Sequence, residues 1–444
     1  MQLTDKRKIQ ILLWAYFWLV IFEGALRKWF LPGLSNPLLI VRDPICLAAM
    51  VLGWKYLSKS RWYGWLLGLY AIALVAIPLA LLGGHGDLPT ATFGARILFL
   101  HFPLIFLFAL VFDRNDAWQF GRALLVISIP MTVLIALQFS LPQSHILNIA
   151  PGGEGSAGFG GALDKFRPPG TFSFINGLTD FYALAAAFLA AWLMSGPKPN
   201  PRWIWISAAG IIFALPLSIS RTLLFNFALV GLMAAFSSLL AGKTIRNFVL
   251  ACLLLSGLAL LLSQSTLFQD AKEAFVFRWD NATWSEGQEE GVSGVLSKRV
   301  LGGMWSGLKM AAEVPLSGMG IGLGTNVGAM RAVGAKDFVV AEASWPTMIG
   351  ELGPILGILL ILTRIALSYK AVVSATIEAY RKNTLPLVLG AVALPAMVMG
   401  QTSQPTSLGF LVLSFGLMLA ACNPPVVVHA AMLPSEFDVI PENA

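Results

Sequence analysis

The sequence predicts an all-α, polytopic membrane protein with about twelve transmembrane helices and one long loop between the ninth and tenth spans. Of its 444 residues, 57% are hydrophobic and only 12% are charged. A soluble domain uses about 25% charged residues to cover its surface, whereas a surface that faces lipid needs none. Apolar runs of the ~20 residues that cross a bilayer core recur along the chain. We expect these runs to be helical, because lipid leaves backbone N–H and C=O groups no other partners.

The apolar runs define the individual spans. The seventh is short and the eleventh contains Pro395. The predicted spans are Ile9–Phe30, Leu38–Leu57, Tyr63–Leu82, Ala95–Phe112, Gly121–Leu141, Gly177–Met194, Trp203–Ser218, Thr222–Leu240, Ile245–Leu262, Pro346–Ser368, Leu385–Met399 and Ser407–Ala421. They divide the chain into spans 1–9 at residues 1–264, the long loop at 265–345, spans 10–12 at 346–422 and a tail at 423–444.

Lys and Arg residues in the short loops predict the orientation of the chain. With the N-terminus inside, fourteen of them lie on the inner side and seven on the outer side. Because cytoplasmic loops are enriched in Lys and Arg, we expect both termini to be cytoplasmic and the long loop to be periplasmic. The predicted location is the bacterial inner (plasma) membrane, with many passes.

Composition and cysteine usage argue against several other classes of function. The net charge of +7 mostly reports the orientation of the spans, so it does not indicate nucleic-acid binding. Cys46, Cys252 and Cys422 lie in or beside apolar runs and form no Cys-x-x-Cys or Cys/His cluster. We therefore expect no metal site, no cofactor and no disulfide framework.

The long loop has three recognisable parts. Phe277–Gly291 holds two Trp residues and a cluster of acids, and Leu296–Val314 has the apolar periodicity of an amphipathic helix. That helix is predicted to rest on the outer membrane surface or to pack on the bundle. In Ser317–Thr325, glycine occupies every second position from Gly318 to Gly324, which permits a close approach by another part of the backbone.

Several charges stand at the predicted outer edges of the spans. Arg221 lies in a tight turn, and Arg167 lies in the stretch that precedes the sixth span. These arginines are explained either by contact with lipid head groups or by a site for a polyanion, since Arg binds phosphate in a bidentate way. Asp180 is expected to form a salt bridge with Arg167 or Arg221, and Glu23 with Arg27 four residues on.

Three stretches together resemble one membrane family. They are the run Arg167-Pro-Pro-Gly-Thr-Phe-Ser-Phe-Ile-Asn176, the Ser218-Ile-Ser-Arg221 turn, and Val314-Pro-Leu-Ser-Gly-Met-Gly-Ile-Gly-Leu-Gly324 followed by Gly350-Glu-Leu-Gly-Pro-Ile-Leu-Gly357. In this order, beside one long outer loop, they are similar to motifs of the O-antigen ligase and polymerase superfamily. The resemblance covers about Arg167 to Leu362. It implies a membrane glycosyltransferase that uses glycans linked to a lipid diphosphate.

Two further features refine the resemblance. Glu23-Gly-Ala-Leu-Arg-Lys-Trp-Phe30 with Arg42-Asp-Pro44 resembles a branch of exopolysaccharide-associated members. Ligases carry a histidine about nine residues before the Glu of Glu-x-Gly, where this chain has Glu342, and no histidine occurs between Ser265 and Glu351. This difference favours a polymerase-type or otherwise diverged member over a ligase.

The resemblance implies a metal-independent reaction on a polyprenyl diphosphate carrier such as undecaprenyl diphosphate. Fixed arginines would neutralise the departing diphosphate, and a carboxylate would act as the base for the acceptor hydroxyl. The implied base is Glu342, with Asp180 second, and sugar rings would stack on tryptophans. The diphosphate candidates are Arg167 and Arg221, then Arg278, Arg299 and Arg331; the stacking candidates are Trp279, Trp305 and Trp345.

Two other classes of function remain open from the sequence. A transporter of lipid-linked glycan or another solute also suits twelve spans, although no matching pattern relates the two halves. A non-catalytic scaffold of a polysaccharide assembly system is compatible with the missing histidine. Membrane lipids, the carrier-linked glycan and other assembly proteins are the expected partners, and nucleic acid is not.

Overall fold

The computed structural model describes residues 3–153, 159–196, 201–242, 245–286, 291–334 and 339–425, with side chains left undescribed at 282–300. It is an almost entirely helical structure, as the sequence predicts. The first half contains α1 (Leu3–Ala25), α2 (Asp43–Leu57), α3 (Tyr63–Leu82), α4 (Leu88–Arg96), α5 (Leu104–Val111), α6 (Arg114–Ser140) and a short antiparallel hairpin of β1 (Phe159–Ala162) and β2 (Lys165–Arg167).

The described residues of the second half form helices and their connections, with no strand. It contains α7 (Ile175–Ser195), α8 (Pro201–Leu217), α9 (Arg221–Ala241), α10 (Ile245–Leu262), α11 (Thr266–Glu286), α12 (Gly291–Glu313), α13 (Asn326–Val333), α14 (Ser344–Tyr380), α15 (Leu385–Met399) and α16 (Pro405–Ala421). Single π-helical turns extend α1 at Leu26–Phe30 and α4 at Ile97–His101.

Many of these helices have the length and composition of membrane spans. Within the described residues, eight are long and apolar enough to cross a bilayer, or nine if the bent pair α10 and α11 counts as one. Three shorter apolar helices, α8, α15 and α16, accompany them. These features confirm an all-α membrane protein.

Contacts between helix ends form two separate layers. In the layer that contains the start of α1, here the N-terminal layer, Arg114 pairs with Glu378 at 2.7 Å and Asn423 donates to the Phe112 carbonyl. In the opposite layer, here the far layer, Asn176 Nδ2 lies 3.4 Å from Gln404 Oε1. Successive long helices therefore run in alternating directions between the layers.

The centre of the bundle is formed by α5, α7, α15 and α16. The α7 span is 83% buried, against 28% for the α9 span at the periphery. Glycines allow the helices to approach: a Cβ on Gly416 would lie 2.8 Å from the Phe108 side chain, and one on Gly121 would collide with the Phe188 ring. Close packing over small residues is how helices associate where lipid supplies no hydrophobic drive.

The predicted tenth span, Pro346–Ser368, is not one continuous helix in the structure. Gly353 has φ 77° and ψ 170° and precedes a proline, so α14 breaks there. Residues 344–352 fold back beside residues 354–380, because a Cβ on Gly357 would lie 2.7 Å from Ile349 Cα. The uninterrupted rod is residues 354–380, about 40 Å long at 1.5 Å per residue.

The long loop is mostly helical. The predicted amphipathic helix at Leu296–Val314 is confirmed within α12. The preceding stretch does not form a separate acidic segment, because α11 continues through most of it, to Glu286. The axis of α11 is bent by 103° from that of α10, so the chain leaves its ninth apolar run nearly at a right angle.

Candidate functional site

The lengths of two central helices indicate a recess in the far layer. α15 and α16 have 15 and 17 residues, whereas α6 has 27. All three have one end in the N-terminal layer, where the Asn383 amide donates to the Ala421 carbonyl and Arg114 N to the Asn423 carbonyl. Ten fewer residues leave α16 roughly 15 Å short of α6 for parallel axes. Residues 400–404, here the floor loop, close the bottom of this recess.

The floor loop joins the start of α14 to the start of α7. Gln401 Nε2 donates to the Glu342 carbonyl at 3.0 Å, and Ser403 Oγ donates to Gln401 Oε1 at 2.9 Å. On the other side, Asn176 Nδ2 donates to Gln404 Oε1 at 3.4 Å. The exposed Glu342 therefore stands on one side of the floor and the α7 N-terminus on the other.

Asp180 lies one helical turn after Asn176, so the two share a face of α7. The neighbouring Thr179 hydroxyl lies 3.3 Å from the Ser220 hydroxyl, which places Asp180 near the start of α9. The salt bridge predicted from Asp180 to Arg167 or Arg221 does not form: among the residues that the structure describes, Asp180 has no ion pair. The structure thus brings a carboxylate to this end without giving it a counter-ion.

The turn before α9 is strained. Ile219 has φ 46°, which a β-branched residue rarely adopts. The Ser220 hydroxyl accepts from Leu223 N at 3.4 Å as the N-cap of α9, and Arg221 begins the helix with 9% of its surface exposed. Arg278 of α11 donates to the Ile219 carbonyl at 3.4 Å. The turn therefore holds one predicted diphosphate ligand and is contacted by another.

The hairpin brings a third arginine to the same turn. Arg167 ends β2 and pairs with Phe159 of β1. A Cβ on Gly161 would lie 2.9 Å from Ile219 Cδ1, so the hairpin packs directly on the turn. Arg167, Arg221 and Arg278, here the arginine cluster, are carried by three segments that meet at residues 218–220.

A buried charge network fixes the approach to this site. The predicted pair of Glu23 and Arg27 is confirmed at 3.8 Å, and Arg42 adds a second contact to Glu23 at 2.8 Å. Arg27 also donates to the Ser173 hydroxyl, and Arg42 donates to the Pro405 carbonyl at 2.8 Å. The network holds the residues just before α7 and just after the floor loop, so it aligns both sides of the recess.

The stretch between Arg167 and α7 is anchored on α1. Gly170 has φ 61°, its carbonyl accepts from the fully buried Lys28 ammonium at 2.6 Å, and its N–H donates to Gln138 at 2.8 Å. The Thr171 hydroxyl donates to the Ile21 carbonyl at 2.7 Å. This stretch is therefore a rigid support for Arg167 on one side and α7 on the other.

Arg331 does not join the arginine cluster. Its guanidinium forms a bidentate pair with Asp87, at 2.6 and 2.8 Å, at the link between α3 and α4. Arg331 and the Thr90 hydroxyl hold the pKa of the Asp87 carboxyl well below its usual range, and Asp87 raises the pKa of Arg331. The pair borders a cleft of about 420 Å³ that His85 and Leu323 also line.

The predicted stacking residues have different surroundings. Trp345 donates its indole N–H to the Val398 carbonyl at 2.9 Å, and Trp279 lies with its ring centroid 5.8 Å from that of Phe225. Both rings thus serve helix packing. Trp305 is 62% exposed on α12. The side chain of Arg299 lies outside the residues described at side-chain level.

The glycine run packs against the break in α14, which confirms the predicted close approach. Gly320 N donates to the Glu351 carbonyl at 3.0 Å, and Gly324 N donates to the Glu351 carboxylate at 2.6 Å. On its other side, a Cβ on Gly94 would collide with Gly322 N. The run therefore ties α4 to α14, so its role is structural.

Sequence reasoning missed the floor loop and one buried arginine. Gln401, Ser403 and Gln404 interrupt two apolar runs, and this polarity was the available signal. Arg364 is a charge inside the predicted tenth span, which by itself marks a constrained position. It is 1% exposed and donates to the Gly400 carbonyl at 2.8 Å, so it holds one end of the floor loop.

The described residues offer no group of three His, Cys, Asp or Glu side chains placed to hold a metal ion. What the far layer does offer is fixed cationic segments, two carboxylates and a polar floor. Comparison with known proteins identifies no family for this arrangement. No protein-family model matches the chain, and no curated protein matches it.

Proposed function

We propose that this protein is a membrane glycosyltransferase of the O-antigen ligase and polymerase type, acting on a glycan carried by a polyprenyl diphosphate. The observation that carries the proposal is the meeting of three arginine-bearing segments at the Ser218–Ser220 turn, with Glu342 beside the floor loop and Asp180 one turn into α7. Cationic side chains at the edge of apolar spans suit a ligand with a diphosphate and a lipid tail.

The proposed reaction needs charge stabilisation and one proton acceptor. The acceptor hydroxyl oxygen forms a bond to the anomeric carbon, the bond from that carbon to the phosphate oxygen breaks, and the diphosphate leaves on its lipid. The arginine cluster stabilises the charge that develops on the departing oxygen. Glu342, which is exposed at the edge of the floor, takes the hydroxyl proton, with Asp180 as the second candidate.

The arginine cluster is tested by substitution in cells that lack this gene and make a shortened surface polysaccharide. Arg221→Ala and Arg167→Ala should each fail to restore chain length, because the leaving group loses a fixed cation. Arg246→Ala is the control, since Arg246 is exposed at the start of α10 in the other layer. Full chain length with normally expressed Arg221→Ala and Arg167→Ala would show that the site assignment is wrong.

The carboxylates separate catalysis from scaffolding. Glu342→Gln and Asp180→Asn keep the shape and remove the proton acceptor, so the base should lose polymer synthesis by about 10²–10⁴-fold. If both variants match the unaltered protein, a scaffold without catalytic activity is favoured. Gln401→Ala tests the floor loop itself, because it removes the hydrogen bond to the Glu342 backbone without touching either carboxylate.

The break in α14 favours a transporter as the second candidate function. Discontinuous helices near the bilayer midplane are typical of transporters, and residues 344–352 fold back beside the span at Gly353. Purified protein in liposomes decides between the two: movement of lipid-linked glycan without a new glycosidic bond supports transport. Formation of that bond in the presence of an acceptor supports the transferase.

The same proposal places the chain in the inner membrane of a bacterium with both termini in the cytoplasm. Among the described residues, the eight long candidates, the bent pair α10 and α11, and the three shorter apolar helices support about twelve spans. The Lys and Arg distribution supports the orientation. Reporter fusions after Ser265 and after Tyr380 check it. The first should be active only for a periplasmic reporter and the second only for a cytoplasmic one.

A further inference from the structure

A second cleft lies in the N-terminal layer, at the opposite end of the bundle from the floor loop. It encloses about 520 Å³ between the start of α1, the turn from α2 to α3, the end of α5 and the residues after α16. That volume is in the range of sites for small ligands. The cleft is separate from the proposed glycan site, and the proposal below does not depend on that function.

Cations surround the mouth of this cleft. Lys6 and Arg61 line it, with Lys6 half-buried and Arg61 exposed. The Arg61 guanidinium lies 4.9 Å from the centroid of the Trp62 ring, and the Lys370 ammonium lies 4.9 Å from the same ring. The positive charges of Arg61 and Lys370 therefore both lie beside the Trp62 indole.

The carboxylate in the cleft is engaged elsewhere. Asp113 accepts from Asn115 N at 2.8 Å and from Asp116 N at 3.1 Å as the N-cap of α6. Asp116 in turn accepts from Asp113 N at 3.1 Å, which completes a capping box. These carboxylates keep their negative charge but are held by the helix terminus. Among the side chains that line the cleft, the two cations Lys6 and Arg61 exceed the single anion Asp113.

One part of the cleft wall is apolar, formed by Ala109, Leu110 and Phe112 at the end of α5 and by Pro424 after α16. Trp62 and Phe112 are each 2% exposed, and the Asn423 amide donates a hydrogen bond to the Phe112 carbonyl at 2.9 Å. Tyr63 and Trp65 follow Trp62, so the turn carries the aromatic residues that are enriched where lipid meets water. A ligand with a phosphate beside an apolar body matches cations at the mouth and apolar walls behind them.

We propose that this cleft binds the phosphate-bearing head group of an anionic phospholipid in the adjacent leaflet. Arg61 and Lys6 would hold the phosphate, since guanidinium and ammonium groups form charge-assisted hydrogen bonds to it. Leu110 and Pro424, which line the cleft and keep exposed surface, would contact the first carbons behind the head group. Basic pockets between membrane helices on the cytoplasmic side are known to take anionic lipid head groups.

The test compares two double variants of the full chain in phosphatidylcholine nanodiscs with increasing phosphatidylglycerol. Lys6→Gln with Arg61→Gln removes the cleft cations. Arg7→Gln with Lys59→Gln removes the same charge from exposed neighbours that do not line the cleft. The measurement is the rise in Tm with phosphatidylglycerol content, which gives an apparent affinity.

We expect the control to keep the rise in Tm and the cleft variant to lose about tenfold or more in apparent affinity, as for one lost charged hydrogen bond. Arg61→Lys keeps the positive charge, so it should retain most of the rise in Tm. It serves as the control for a folded protein with a substitution at this position. Equal responses of the two double variants would overturn the proposal. An equal rise in Tm from soluble glycerol 3-phosphate in phosphatidylcholine alone would also overturn it, because the site would then bind free phosphate compounds.

Discussion

Arg364 allows a demanding prediction, because a single buried side chain holds three segments together. Its guanidinium donates to the carbonyls of Met397, Ala396 and Gly400, which end α15, and to the Ser344 hydroxyl at 3.3 Å. The last carbonyls of a helix carry partial negative charge and have no partner within that helix. The Ala396 and Gly400 carbonyls also accept from Gly400 N and from the Ser344 hydroxyl, each at 2.9 Å. Arg364 therefore adds the opposite charge to all three carbonyls and is the donor to the Met397 carbonyl.

The size of the effect follows from these contacts. A hydrogen bond to a charged group contributes about 1.5–3 kcal/mol, and a buried group left without a partner costs a similar amount. Arg364→Met removes the charged hydrogen bonds and leaves the Met397 carbonyl buried without this donor, so the free energy of unfolding should fall by about 3–5 kcal/mol, near the upper end for a single substitution. For a chain of this size we expect Tm to fall by roughly 5 °C.

The assay is thermal unfolding of the purified protein in detergent, followed by intrinsic fluorescence. Arg364→Lys keeps the charge but lacks the planar fork, so it should fall between Arg364→Met and the unaltered protein. Arg381→Met is the control, because Arg381 directly follows the same helix and 71% of its side chain is exposed. It removes one ion pair of an exposed arginine, to Glu378, so Tm should change little. Equal Tm values for Arg364→Met and Arg381→Met would refute the helix-capping role.

Three further outcomes are expected elsewhere in the chain. Because the pKa of Asp87 is depressed in the folded state, its pairing with Arg331 should stabilise the packing of α13. This contribution should be complete at pH values above the ordinary carboxylate pKa of about 3.9. That contribution should decline progressively as the pH falls below this value towards the depressed pKa, so hydrogen exchange of α13 is compared at pH 7 and at pH values below 3. Unchanged exchange in Asp87→Asn at pH 7 would contradict the pairing. Gly322→Ala should prevent stable folding, since the residue has φ 95° and a Cβ would collide with the backbone of α4, whereas Gly257→Ala, in open space, should be tolerated in the same expression and size-exclusion assay. Trp305 fluorescence should be quenched by brominated lipid in nanodiscs if α12 rests on the bilayer, and quenching equal to that in unbrominated lipid would show that its exposed face meets water.

The helices could be predicted from the sequence because lipid leaves the backbone few alternatives. The run Trp203–Ser218, one of the shorter predictions, corresponds to α8 within a residue or two. The break at Gly353 could not be predicted from hydropathy, since the apolar run continues through it. A glycine followed by Pro354 was a local signal for the break, but the reversal also depends on the glycine run packed around it.

The candidate site was only partly predictable, for a different reason. Motif spacing singled out Arg167 and Arg221, and Arg278 was named from its position in the loop; their segments do meet at one turn. Partners that are distant in sequence decided the rest. Arg331 pairs with Asp87, which is 244 residues away in sequence, and the indole of Trp345 donates to a carbonyl of α15. No periodicity or spacing encodes such pairings.

The contact between Arg42 and the Pro405 carbonyl has a consequence for biosynthesis. The two residues are 363 positions apart, and Arg42 is 2% exposed in the finished protein. At about 5–20 residues per second, the ribosome needs roughly 20–70 s to supply the second partner after the first. Throughout that interval Glu23 has to neutralise a cation already placed in the first helical hairpin. A chain that stops before α16 would keep the pair of Glu23 and Arg42 but lack the Pro405 carbonyl to which Arg42 donates. The last helix therefore completes the hydrogen bonding of a charge buried beside the first.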